Sequence, residues 1–148
     1  MTFIRRRIEA AHRAGPAGRP HLLIVEDQEE ARLLMQYALR TDFRTEAVAM
    51  GTTARCRARS NRYDACLIDI TLSGGESGID LMEDLRSMDG YADTPMVVVT
   101  AHALPGDRQR FLDLGFDAYV AKPFAPVDLR RQVKQVVAAR SATPALSG

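Results

Sequence analysis

Three carboxylates, a hydroxyl and an ammonium stand where apolar runs of this sequence stop. The run His21–Val25 (HLLIV) ends at Glu26 and Asp27, and Tyr63–Ile70 (YDACLIDI) is apolar until it reaches Asp69. Pro95–Thr100 (PMVVVT) ends on the Thr100 hydroxyl, and Asp117–Ala121 (DAYVA) runs into Lys122. If these runs are parallel strands of one sheet, all five groups converge on one rim. Three carboxylates packed together repel one another unless a cation intervenes. An all-oxygen donor set suits a hard divalent ion, and partial protein coordination completed by waters is the habit of magnesium. Lys122 supplies a compact positive charge for a carboxylate or a phosphoryl oxygen, and Thr100 a hydroxyl that can donate to an oxyanion. This set is equipped for phosphoryl transfer. Asp69 would be the nucleophile and carry the group as an acyl phosphate, with the rest of the chemistry left to positioning and charge neutralisation.

Each residue also has a plainer reading. Glu26 and Asp27 could cap the following helix, where negative charge is favoured. Asp69 could close a turn at a strand end, and Lys122 could be a solvated surface lysine. Their joint appearance at successive strand ends is what favours chemistry.

The elements that must position them follow from the hydrophobic pattern. Continuous apolar runs suit strands covered on both faces of a parallel sheet. Between them, Gln28–Arg40 carries Ala31, Leu34, Tyr37 and Ala38 at helical spacing, with Glu29 and Glu30 in its first turn. Arg44–Met50 is a weaker strand, followed by a short helix capped by Thr52 or Thr53 and running to about Ser60. A Gly-rich loop, Ser73–Gly78, leads into a helix bearing Ile79, Leu81, Met82 and Leu85. Asp107–Leu114 reads as a helix closed by Gly115. Pro126 opens a last helix with Leu129, Val133, Val136 and Val137 on one face. Five strands alternating with five helices, joined by short right-handed crossovers, give a three-layer α/β/α sandwich around a parallel sheet. In such sheets the site lies at the carboxyl ends of the strands, beside the switch in strand order.

Composition agrees with one ordinary domain. The chain has 148 residues, 46% hydrophobic and 26% charged, a balance that argues against disorder. It holds no ~18-residue apolar span and no signal-peptide core, so a cytoplasmic protein without membrane contact is expected. Cys56 and Cys66 form no CxxC and read as small apolar fillers. The net charge of +1 is unevenly spread. Residues 1–20 hold five arginines against Glu9, or +4, while the remaining fifteen basic and eighteen acidic side chains leave −3. The arm 1–20 reads as a basic flexible extension, residues 21–140 as the domain, and 141–148 as a frayed tail. A basic arm can bind nucleic acid, but this one lacks interleaved aromatics and a solvated extension is the expected role.

The order Glu26-Asp27, Asp69, Thr100-Ala101 and Lys122-Pro123-Phe124 resembles the receiver domain of bacterial two-component response regulators, over about residues 21–140. The resemblance implies a five-stranded parallel sheet of doubly wound, flavodoxin-like topology, and it implies roles residue by residue. Asp69 would be the phosphoacceptor, taking its group from the phosphohistidine of a histidine kinase or a phosphotransfer protein. Asp27 would ligate Mg2+ directly, Glu26 through water, and Thr71 through its backbone carbonyl. Thr100 and Tyr119 would form a switch pair, His102 would tune the lifetime of the phosphate, and the bond to Pro123 would be cis. The signal would pass to a protein target through the face of the last two helices and strand five. The expected state is a monomer, or a weak dimer when phosphorylated.

Two departures stand out. The family usually has proline four residues after the acceptor, where this chain has Ser73, and the loop Ser73–Gly78 is one residue longer than the common pattern. Little chain follows Lys122, so no attached output domain is expected, and a single-domain regulator or a phosphorelay intermediate fits best. A receiver excised from a hybrid histidine kinase is the second form. Other classes are a phosphate-independent protein-binding module of the same fold and a nucleotide- or flavin-binding enzyme. The latter lacks GxGxxG and GxxxxGK[ST] motifs.

Overall fold

The computed structural model describes residues 18–142. The elements are β1 (His21–Val25), α1 (Glu29–Leu39), β2 (Arg44–Val48), α2 (Gly51–Ser60), β3 (Ala65–Ile68), a 3-10 turn (Ser73–Gly75), α3 (Gly78–Arg86), β4 (Met96–Thr100), α4 (Asp107–Leu114), β5 (Ala118–Ala121) and α5 (Pro126–Ala142). The five strands form one parallel sheet in the order β2-β1-β3-β4-β5. The chain starts near the middle, steps to one edge, then returns past β1 and builds outward. The strand order therefore reverses between β1 and β3, and the crevice above their carboxyl ends is the natural site.

Strand side chains alternate between two cores, as period-two geometry requires. Leu22, Ile24, Ala65, Leu67, Val97, Val99 and Val120 face α1 and α5, meeting Met35, Leu39, Leu129 and Val133. Leu23, Val25, Cys66, Ile68, Met96 and Val98 face the other way, against Ala54, Ala58, Leu81, Met82, Leu85 and Phe111 of α2, α3 and α4. Four consecutive residues of β1, Leu22–Val25, are fully buried. That explains why its sequence is an unbroken apolar run rather than an alternating one.

Some local expectations are corrected. The buried face of α1 is Met35, Ala38 and Leu39, whereas Leu34 and Tyr37 are exposed. Helix α2 is not capped by Thr52 or Thr53. It begins at Gly51, with Met50 at the cap position and no side-chain cap hydrogen bond. The Glu76 carboxylate instead lies against Gly51, putting negative charge at the helix N-terminus from another loop. Cys66 is buried in the core, but Cys56 is exposed on α2 and fills nothing. Strands β2 and β3 are shorter than their apolar runs, so Asp69 lies one residue beyond its strand.

The basic arm falls largely on residues 1–17, and the end of the tail on 143–148, both outside the described residues. No helix among the described residues is long and apolar enough to cross a membrane.

Candidate functional site

The carboxyl edge of the sheet assembles the site through backbone bonds that continue the ladder past each strand. Glu26 N–H donates to the Val48 carbonyl at 3.0 Å and Asp69 N–H to the Val25 carbonyl at 3.1 Å. Lys122 N–H donates to the Thr100 carbonyl at 2.9 Å. The functional side chains are thus carried on nearly rigid strand ends, with freedom left mainly in their own torsions.

Glu26, Asp27 and Asp69 each offer a carboxylate oxygen within 4.8 Å of the others. Glu26 is only 1% exposed and Asp69 9%. Lys122 Nζ donates to Asp69 Oδ2 at 2.9 Å and makes a second, short contact to Glu26 Oε1. Burial raises the Glu26 carboxyl above its ordinary value, and the nearby Asp69 charge adds to that. The Lys122 ammonium and the Gln28 amide pull the other way. Burial alone would lower the Lys122 ammonium, but its bonds to the two carboxylates outweigh burial and raise it. Lys122 therefore remains charged at neutral pH.

Asp27 makes no ion pair among the described residues. Its carboxylate accepts from Ser73 Oγ at 3.1 Å. The cluster has three carboxylates and one ammonium, which bonds only Glu26 and Asp69, so it carries an excess of negative charge and a donor set made of oxygen alone. That chemistry fits a hard divalent cation and does not fit a soft metal.

The remaining residues line the same edge. Thr71 N–H closes a turn on Asp69 Oδ1 at 3.2 Å. The Thr71 hydroxyl lies 3.1 Å from His102 Nε2, bridging the loops after β3 and β4. Thr100 is fully buried, and its Oγ1 accepts from the His102 backbone N–H at 3.2 Å. The Tyr119 hydroxyl donates to the His102 carbonyl at 2.5 Å, and its ring stacks on Phe111 with centroids 5.8 Å apart. Burial, with the charge of Asp107, raises the Tyr119 phenol. The Lys122–Pro123 bond is cis. Every residue named from the sequence is therefore at this edge. Thr100 and Tyr119 are tied to it through one residue, His102, by its backbone N–H and carbonyl.

Two contacts beside the site carry no signal in the sequence. In the sequence Ser73 stands out only for taking the place of a proline, yet it donates to Asp27 across 46 positions of sequence. Glu76, further along the same loop, pairs with Arg55 at 2.5 Å, and Arg55 also holds Asp84 of α3 at 2.8 Å. No spacing rule points to either contact, because both depend on how a glycine-rich loop turns.

A doubly wound sheet with a carboxylate cluster and a lysine at its switch point defines the class of protein. Comparison with known proteins narrows it. The model of the response regulator receiver domain matches residues 22–134. The transcriptional regulatory protein GltR of Pseudomonas aeruginosa is 32% identical over 120 residues, covering 81% of this chain and 49% of that protein. The phosphate regulon transcriptional regulatory protein PhoB of Rhizobium meliloti is 32% identical over 119 residues, covering 80% and 52%. Among solved structures, the receiver domain of the sensor histidine kinase PA1611 from Pseudomonas aeruginosa superposes with a TM-score of 0.72 at 31% identity. It covers 81% of this chain and 98% of that domain, and it carries a magnesium ion coordinated in its active-site cleft. The chain belongs to the response regulator receiver domain family. It spans about half the length of the two transcriptional regulators.

Proposed function

We propose that this chain is a phosphoryl-accepting signalling domain with Asp69 as the acceptor. The observation that carries the reading is the convergence of Glu26, Asp27, Asp69 and Lys122 at the sheet's switch point, with one ammonium shared between Asp69 and Glu26. An Asp69 carboxylate oxygen attacks the phosphorus of a phosphohistidine on a histidine kinase or phosphotransfer protein. The P–N bond breaks, and the imidazole leaves with its electron pair and takes up a proton. Lys122 neutralises charge on the acceptor and on the incoming phosphoryl oxygens. Glu26, Asp27, Asp69 and the Thr71 carbonyl are the groups that would hold Mg2+, which when bound neutralises the equatorial oxygens and keeps attacker and leaving group in line.

Thr100 and Tyr119 form the readout. The Thr100 hydroxyl, now accepting from His102 N–H, turns to donate to the new phosphoryl oxygens, and Tyr119 gives up the His102 carbonyl as the loop moves. Phosphorylation adds nearly two negative charges, enough to bias such a two-state element. The shifted face of α4, β5 and α5 then meets a protein target. His102, whose ring bridges to Thr71, would influence access of water to the acyl phosphate. The similarity to the PA1611 receiver supports a second setting for the same chemistry, a receiver within a sensor kinase.

The test is incubation of the purified protein with acetyl phosphate or phosphoramidate and Mg2+, read by intact mass. The expected result is a gain of one phosphoryl group that is lost in Asp69→Asn and in chelator. No gain in the wild-type protein would overturn the reading.

A further inference from the structure

The loop between β3 and α3 is built more firmly than its glycines suggest. Leu72 is buried at its start, and the Leu72 N–H donates to the Glu76 carbonyl at 3.1 Å. Thr71 and Ser77 form an isolated antiparallel bridge, and the Gly78 N–H donates to the Ile70 carbonyl at 2.7 Å. Gly74 and Gly75 both adopt positive φ, +79° and +75°, a conformation that side-chain-bearing residues rarely take. Two left-handed residues in succession reverse the chain so that the residues flanking them reach opposite neighbours. Ser73 reaches Asp27 through its hydroxyl. Glu76 reaches Arg55 and the start of α2.

We infer that Ser73 is a positioning residue for the cation site and that its loop belongs to that site. An ionised aspartate at a rim has a broad terminal torsion. Every orientation that must be given up when a cation binds weakens binding. The Ser73 hydroxyl occupies Asp27 Oδ2 and fixes the carboxylate plane. It leaves the other oxygen without a partner among the described residues. Leu72 on one side and the Glu76–Arg55 pair on the other hold the loop backbone, so the hydroxyl stays within reach of Asp27 and only its own torsion turns it away. Donors that orient a ligating carboxylate typically matter by about 10- to 100-fold in metal affinity. Ser73 is exposed, so water competes for the same oxygen and the effect falls below that range. The coupling is also reciprocal: if Ser73 orders Asp27 for the cation, the cation must order the Ser73 loop.

This inference rests on the proposed Mg2+ site, and the experiment separates the two. Calorimetric titration of the full chain with MgCl2 is run on wild type, Ser73→Ala and Ser73→Thr, with hydrogen exchange of residues 71–77 followed alongside. Binding in Ser73→Ala is expected to weaken about three- to tenfold, and Ser73→Thr, which keeps the hydroxyl, to recover most of it. Mg2+ is expected to slow exchange in the loop of wild type and much less in Ser73→Ala. Wild-type affinity, or tighter binding, in Ser73→Ala would overturn the inference while leaving the phosphoacceptor reading intact. Failure of wild type to bind Mg2+ at all would sink both.

Discussion

Lys122 Nζ spans Asp69 Oδ2, at 2.9 Å, and Glu26 Oε1, joining carboxylates that leave two different strands. Replacing Lys122 by Met removes the only ammonium that touches these two groups among the described residues. Glu26 is almost wholly buried, so its charge is then left uncompensated. Breaking one side of a buried pair costs several kcal/mol, and less where the site opens to solvent, as here. Lys122→Met is expected to lose about 2 kcal/mol at pH 7 in urea unfolding. The Glu26 carboxyl is already raised by burial, and losing the ammonium that opposes burial raises it further. A raised carboxyl destabilises the fold where it is ionised and ceases to do so once protonated. The defect should therefore shrink as pH falls from 7 toward the ordinary carboxyl value of 4.5. A defect that stays constant across that window would contradict this account.

Excess negative charge at the cluster is expected to make folding respond to Mg2+. The ligands are far apart in sequence, so the site exists only in the folded chain, and a ligand of that state stabilises it by mass action. At tenfold excess over the dissociation constant the gain is about 1.4 kcal/mol, or about 5 °C in melting temperature for a domain of this size. Asp27→Asn removes one of the three repelling charges. Without metal it should be at least as stable as wild type, and it should lose more than half of the Mg2+-induced rise. A variant that kept the whole rise would remove Asp27 from the ligand set.

Two glycines beside the site make a paired prediction. A Cβ added at Gly78 would collide with the Asp69 carbonyl oxygen, which is backbone and held by the sheet edge. At Gly51 the added atom would meet the Glu76 carboxylate, the end of a side chain that can rotate away. Gly78→Ala is expected to cost about 2–3 kcal/mol, in the range for forced overpacking. Gly51→Ala is expected to cost under about 1 kcal/mol, because alanine is the better helix former and offsets the lost contact. Urea midpoints measured side by side check the order, and the reverse order would mean that the loop yields more easily than the α2 contact.

How much of this was legible in the sequence depends on the kind of signal. Glu26, Asp27, Asp69, Thr100 and Lys122 could be read because each terminates an apolar run, and a parallel sheet turns that into shared position. Helix α1 could be recognised but its buried face could not. Leu33, Leu34, Met35, Tyr37 and Leu39 place apolar side chains around most of the helix, so periodicity does not select Met35, Ala38 and Leu39. Tertiary packing against α5 makes the choice. The cap of α2 departs from the local pattern for a similar reason. Thr52 and Thr53 are sound local caps, but a carboxylate from the loop after β3 already lies at that end. Ser73 and Glu76 were illegible as site residues because their partners depend on two positive-φ glycines in the turn.

His21, far from the cluster at the opposite end of β1, sets a pH dependence of its own. Its ring packs on Tyr63 at 4.8 Å between centroids, and its backbone N–H donates to Asp64 Oδ2 at 2.7 Å. Partial burial, then the positive charge of Arg44, lower the imidazole below its ordinary 6.5, and the nearby Glu46 and Asp64 only partly oppose this. The native state thus prefers neutral His21, while the unfolded chain takes up the proton near pH 6.5. Stability from this residue is complete above pH 6.5. It is lost as pH falls from there through the lower native value, below which both states are protonated and the loss levels off. His21→Phe keeps an aromatic ring against Tyr63 and removes the titration. Between pH 7.5 and 5.5 the urea midpoint of wild type should fall relative to that of His21→Phe, with the carboxylates common to both proteins cancelling in the difference. Parallel profiles for the two proteins would show that the His21 environment does not distinguish the charged ring from the neutral one.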